Sequence, residues 1–191
     1  LYCSSHNDVA RRSTRTVLDK IFYYVSSWMA PVLVFTAEEV WLSRFPDTDI
    51  SVHLNDFPRP PDYWNYRNLD SKWNFIREVR KVVSGAIEVS RQKKLIGASL
   101  ETHPRVFINS DKKFSILVGI DLAEICITSD LTLISGEGPK QSFSIKDVPD
   151  VTVLCDLANG EKCLRCWKIL SEVRESSERK VCKRCDNVLN T

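Results

Sequence analysis

The stretch CLRCWKILSEVRESSERKVCKRC, residues 163–185, decides how the last thirty residues of this chain fold. It holds two Cys-x-x-Cys pairs, Cys163/Cys166 and Cys182/Cys185, with fifteen residues between them. Two residues between cysteines let one tight turn place both sulfurs about 3.5–4 Å apart, close to the edge of a Zn–S4 tetrahedron. Four thiolates close the coordination sphere and leave no position for a water nucleophile, so the expected site is one structural zinc. The intervening loop KILSEVRESSERKV is polar enough to stay outside a core. The alternative for the same residues is a pair of disulfides or free thiols. Disulfides need an oxidising compartment, and Cys3, Cys126 and Cys155 show no framework spacing. The total of seven cysteines is also odd. Cys155 falls in an apolar, strand-like run without a partner two residues away, and is expected outside the metal shell.

Outward from this module, 191 residues suffice for one large domain or two small ones. No apolar run approaches the ~18 residues needed to span a bilayer. The longest, WMAPVLVFTA, contains Pro31 and is followed by Glu38 and Glu39. With no signal peptide, the thiols favour a reducing, cytoplasmic compartment. The chain begins at Leu1 without an initiator Met and is expected to be a piece of a longer protein. Net charge is only +2, but cations gather near the C-terminus: Lys162, Arg165, Lys168, Arg174, Arg179, Lys180, Lys183 and Arg184, against Glu161, Glu172, Glu175, Glu178 and Asp186. Arg165, Lys183 and Arg184 lie inside the knuckles, and Trp167 follows the first one. Such a module can grip phosphate and stack on a base, or the charges can form a solvated face. Charge is expected to carry the contact, with Trp167 mostly packing.

Residues from Asp8 to Met29 read as a helix, with Val9, Leu18, Ile21, Phe22, Val25, Trp28 and Met29 at three- and four-residue steps. Asp8 suits the N-cap. Pro31 suits the first turn of a second helix that stops before Pro46. Four prolines from Pro46 to Pro61 mark a loop. A third helix is expected from Asn68 towards Lys94, striped by Leu69, Trp73, Ile76, Val79 or Val83, and Ile87, with Gly97 as its stop. Three such helices imply an antiparallel bundle over residues 1–101, and Trp28, Trp41 and Trp73 are expected to pack rather than bind. Beyond it, RVFIN (105–109), EICIT (124–128), LTLIS (131–135) and VTVL (151–154) read as strands. Asp111 can cap a helix through KKFSILVGI. The fold class is therefore α+β in several parts: a helical bundle (1–101), a small α/β subdomain (102–160) and a zinc-ribbon or knuckle module (161–191). Arg11, Arg12 and Arg15 on the first helix, with Arg77, Arg80 and Arg91 on the third, are candidate phosphate contacts; each could equally be a solvated face. No heptad seam is present, so a monomer is expected.

No Gly-rich phosphate loop, nucleophile elbow or H-E-x-x-H occurs, and His6, His53 and His103 are far apart. No catalytic residue is assigned.

Several of these stretches together resemble the C-terminal part of the bacterial-type isoleucyl-tRNA synthetases, of class I. APVLVFTAEEVW (Ala30–Trp41) is similar to a segment of the anticodon-binding bundle shared with the leucine and valine enzymes. SVHLNDFP (Ser51–Pro58) follows it, and WNFIREVRKVVSGAIEVSRQKKLIGASLE (Trp73–Glu101) resembles the family's long helix and its K-x-I-G-x-S-L-E turn. GEKCLRCWKI with VCKRC resembles the C-terminal zinc module that these enzymes share with formamidopyrimidine-type DNA glycosylases. The resemblance implies a parent that activates isoleucine with ATP and Mg2+ and transfers it to isoleucine tRNA. The H-I-G-H and K-M-S-K-S sequences that bind ATP, and the editing domain, are not in this chain. The piece itself is expected to grip the tRNA anticodon arm and to be catalytically inactive, its partners being that tRNA and the catalytic and editing domains. A glycosylase tail, or a zinc-stapled protein-interaction module, are the competing readings.

Overall fold

The computed structural model describes residues 1–46, 50–173 and 179–190; Arg174, Glu175, Glu178 and the middle of the loop between the cysteine pairs lie outside them. Two compact units make up the chain, Leu1–Tyr66 and Arg67–Thr191.

The first unit is helical. α1 (Val9–Met29) starts where the Asp8 carboxylate accepts from the Arg11 amide at 3.1 Å. α2 (Val34–Arg44) begins three residues later than Pro31, because the amides of Val32 and Leu33 turn back to the Met29 carbonyl. Between them lies a small core of Ala30, Ala37, Trp41 and Val52, with Phe22 and Phe45 packed against it. Trp41 stacks on Phe22 and its indole N–H donates to Ile50 O at 3.0 Å. Glu38 accepts from both the Ser51 hydroxyl and the Val52 amide, each at 2.9 Å, and so ties the SVHL turn (a 3-10 turn, Val52–Leu54) to α2. The α1 stripe expected to be core is largely open: Leu18, Ile21, Val25 and Met29 are exposed, and Phe22 carries the packing. Trp28 is partly covered, donating to Pro58 O at 3.0 Å.

The second unit starts with α3 (Arg67–Gln92), whose stripe of Ile76, Val79, Val82, Val83, Ala86 and Ile87 is buried. Leu69 and Trp73, at its N-terminal end, are not. The helix stops before Gly97. Lys94 adopts a left-handed φ of 58°, and the Leu95 amide reaches back to Ser90 O at 3.1 Å, a left-handed cap usually given to Gly or Asn. Gly97 instead donates to the Glu101 carboxylate at 2.9 Å, as Ala98 does at 3.2 Å, closing the G-x-S-L-E turn.

α3 packs on a four-stranded mixed sheet of order β2-β1-β4-β3. These strands are β1 (Thr102–Ile108), β2 (Thr132–Ser135), β3 (Phe143–Ser144) and β4 (Val151–Leu157). α3, expected within the helical bundle, thus belongs to the second compact unit, since a helical stripe announces a buried face but not its partner. β1 begins before RVFIN, at Thr102. It tolerates Pro104 because β2 pairs only from Arg105 onward, so no ladder bond to β2 is lost there. β1 runs parallel to β2 and antiparallel to β4. The crossover between β1 and β2 carries α4 (Asp111–Leu117), capped by Ser110 rather than Asp111, and α5 (Leu122–Cys126).

EICIT is a correction: most of it lies in α5, not in a strand. Asp121 accepts from the Glu124 amide at 2.9 Å, nucleating a helical turn, and Ile127 at φ 57° ends it. A local cap outweighs the β preference of three branched residues. Beyond β4 the chain forms a two-stranded hairpin, β5 (Glu161–Lys162) and β6 (Ile169–Leu170), and then α6 (Lys183–Leu189).

Candidate metal centre and basic surfaces

The hairpin and α6 exist to bring two turns together. β5 leads into Cys163, whose amide donates to Lys168 O while its carbonyl accepts from Trp167 N–H, both at 2.9 Å. This knuckle points Cys163 and Cys166 the same way. The second pair sits at the start of α6, Cys182 at its N-cap and Cys185 one turn in. The Leu164 amide bonds Lys180 O, and the Cys182 amide donates to the Cys163 sulfur at 3.3 Å, so the two turns are hydrogen-bonded to each other.

The four sulfurs all lie within 4.8 Å of one another, with Cys166 and Cys182 at 3.8 Å. A tetrahedron with Zn–S bonds of roughly 2.3 Å has edges of about 3.8 Å, so the four sulfurs are gathered close to the spacing a tetrahedral metal needs. Cys163, Cys182 and Cys185 are buried. Burial opposes ionisation of Cys163, yet amide donors from Cys166, Cys182 and Arg165 hold its thiol down to about 6. Burial first, and then crowding with other sulfurs, pushes Cys166 and Cys182 up. Burial also raises Cys185, against a hydrogen bond from the Arg165 side chain. A divalent cation reverses such crowding, because the ion outweighs the repulsion between thiolates. Cys155 lies apart on β4, outside this cluster. Burial raises its thiol and lifts that of Cys126 to about 11, as befits packed, unreactive cysteines.

The candidate cations divide by what holds them. Arg12 and Arg15 line an open cleft of about 840 Å³ together with Thr16, Leu18, Asp19, Phe22 and Arg44. Arg44 is paired there with Asp19 at 2.9 Å. Sequence reading missed Arg44, whose only local signal is its place in the last turn of α2. Arg11 instead donates to Ser4 O at 2.7 Å, bracing the N-terminal turn. On α3, Arg91 reaches Glu88 and Gly97 O and so secures the helix end. Arg77 bonds Asn74 one turn away, and Arg80 is exposed.

In the metal module Arg184 is engaged with its neighbours: partial burial opposes its charge, but the Cys166 sulfur and Glu124, 3.7 Å away, hold it protonated. Lys183 is exposed. Trp167 does not cover the thiolates as expected. It is 61% exposed, at a left-handed φ of 65°, with the Lys162 ammonium 5.5 Å from its ring centroid. A bulky residue held in that region is costly, so its neighbours must fix it there.

The chain thus joins a helical unit carrying an arginine-lined cleft to a sheet and a four-cysteine module. Residues 1–106 match the family described as the anticodon-binding domain of tRNA ligase, and the chain belongs to that family. Its relatives include the isoleucine–tRNA ligase of Agrobacterium fabrum, 46% identical over 173 residues, or 91% of this chain and 18% of that protein. The isoleucine–tRNA ligase of Ruegeria pomeroyi is 43% identical over 189 residues, 99% of this chain and 19% of that protein. That of Bartonella henselae is 43% identical over 173 residues. The chain spans less than a fifth of the length of these relatives. Among the described residues no helix is long and apolar enough to cross a membrane.

Proposed function

We propose that this chain is the tRNA-recognising portion of an isoleucine–tRNA ligase, and that it grips the anticodon arm of isoleucine tRNA. The observation that carries the reading is the joint presence of the anticodon-binding family match and a four-sulfur cluster in one chain of similarity to isoleucine–tRNA ligases. In the parent, ATP, Mg2+ and isoleucine would be handled by a catalytic portion outside this chain, in the cytoplasm, and the chain would act as part of a monomer. Cys163, Cys166, Cys182 and Cys185 would hold one structural zinc. Its role is to fix the two knuckles, since a module of this size buries too little apolar surface to hold its shape alone.

For phosphate contact, Arg12 and Arg15 in the first unit and Lys183 beside the metal are the favoured cations, with Arg80 and Arg77 secondary. Arg11, Arg91, Arg165 and Arg184 are already engaged in holding backbone or metal module and rank below them. Trp167 is the favoured stacking residue, because its ring is presented to solvent rather than buried.

Filter binding of the zinc-loaded chain to isoleucine tRNA, an unrelated tRNA and duplex DNA tests the reading. Isoleucine tRNA should bind tightest, with affinity falling roughly tenfold or more between ~50 and ~200 mM salt. Preference for duplex DNA would favour a glycosylase-like tail, and no nucleic-acid binding at all would favour a protein-interaction module.

A further inference from the structure

We propose that Ser129 is the positioning residue of the metal module, fixing the module's first hairpin to the turn that follows α3. The consequence for RNA rests on the tRNA reading above; the structural claim does not.

Ser129 lies between α5 and β2 and is only 3% exposed. Its polar groups go to two segments far apart in sequence, residues 100–102 and Ile169. The amide donates to Thr102 O at the start of β1, 3.2 Å away. The hydroxyl donates to Leu100 O in the turn after α3 and accepts from the Ile169 amide of β6 at 2.6 Å. The directions are forced, because Leu100 offers only a carbonyl there and Ile169 only an N–H. One buried hydroxyl therefore splices the strand that leaves the first knuckle to the platform under α3. The backbone ahead of it is set for the purpose. Ile127 is held at φ 57°, strained for a β-branched residue, and the Thr128 amide bonds Ala123 O at 2.9 Å.

Two-residue strands cannot orient themselves: β5 and β6 pair only through Glu161–Leu170 and Lys162–Ile169. The Arg184–Glu124 pair spans the same gap but is at least two-fifths exposed on both sides, where ion pairs hold weakly. Ile169 is paired with Lys162, which directly precedes Cys163, so slack at Ser129 would be transmitted to the knuckle that bears Arg165 and Trp167.

The test begins with the unaltered, zinc-loaded chain. Amide hydrogen exchange at Ile169 should be slow, and exchange as fast as an exposed amide would overturn the proposal without any variant. In Ser129→Ala, zinc content should stay at one per chain while Ile169 exchange accelerates at least tenfold and isoleucine tRNA affinity falls about tenfold. Ser129→Thr, which keeps the hydroxyl, should restore both. Unchanged exchange in Ser129→Ala, or loss of zinc and fold together with no rescue by threonine, would overturn it. If the unaltered chain bound no tRNA, the tRNA reading would fail while the exchange arm still decided the role of Ser129.

Discussion

Trp167 combines two features that rarely coincide, a left-handed backbone and a ring in solvent. A left-handed φ costs an L-residue roughly 1–2 kcal/mol relative to glycine's indifference to it. Stacking on a base is worth about 1–3 kcal/mol. Replacing Trp167 by Gly should therefore leave zinc binding and melting intact, or slightly improved, while weakening tRNA binding about 5- to 150-fold. Arg165→Ala plus Lys183→Ala should weaken it too, with a shallower salt dependence. Metal analysis and melting of Trp167→Gly decide the matter: loss of zinc would show that the ring packs on the module after all. For the ligand set, Cys163→Ala should lose the metal and Cys155→Ala should keep it; the reverse result would break the assignment. The clustering of the four cysteines was legible in sequence because a Cys-x-x-Cys turn is a local geometry. Whether Trp167 faces in or out was not, because a single φ sign at that position decides it, and tryptophan gives no hint of a left-handed residue.

α3 shows the same division at the next scale. Its stripe was readable from spacing, as was its approximate length, but the sheet beneath it was not. The signal was there in one residue, Gly85, in the middle of an otherwise regular helix. A Cβ at Gly85 would stand 2.6 Å from the Phe143 ring, so the helix approaches β3 through that glycine. Gly85→Ala gains about 1 kcal/mol of helix propensity but meets overpacking of typically 1–3 kcal/mol. It should lower the melting temperature in the native background. With Phe143→Leu, which removes the ring atoms in the way, the same substitution should raise it. Stabilisation in both backgrounds would mean that the ring simply moves aside. The misread α5 has a related cause. Its β-branched run is only five residues long, and over that length a single capping carboxylate, Asp121, decides between helix and strand. The Glu38 clamp on the SVHL turn was likewise hidden, because it joins two segments that the sequence presents separately.

For the whole molecule, composition said little: a net charge of +2 gives no global field. On the proposed reading, recognition would come from local groups such as the Arg12–Arg15 cleft on the helical unit and the charged knuckles of the four-cysteine module. Cations beside an exposed tryptophan suit a ligand that offers phosphates and unpaired bases, as a tRNA arm ending in a loop does. The central claim is that this arm is what the chain reads. Its most direct test is competition for labelled isoleucine tRNA bound to the zinc-loaded chain, using two RNA pieces. The isolated anticodon stem-loop of isoleucine tRNA should displace the label, and an acceptor-stem minihelix of the same tRNA should not. Displacement by the minihelix, with the stem-loop inert, would contradict the account.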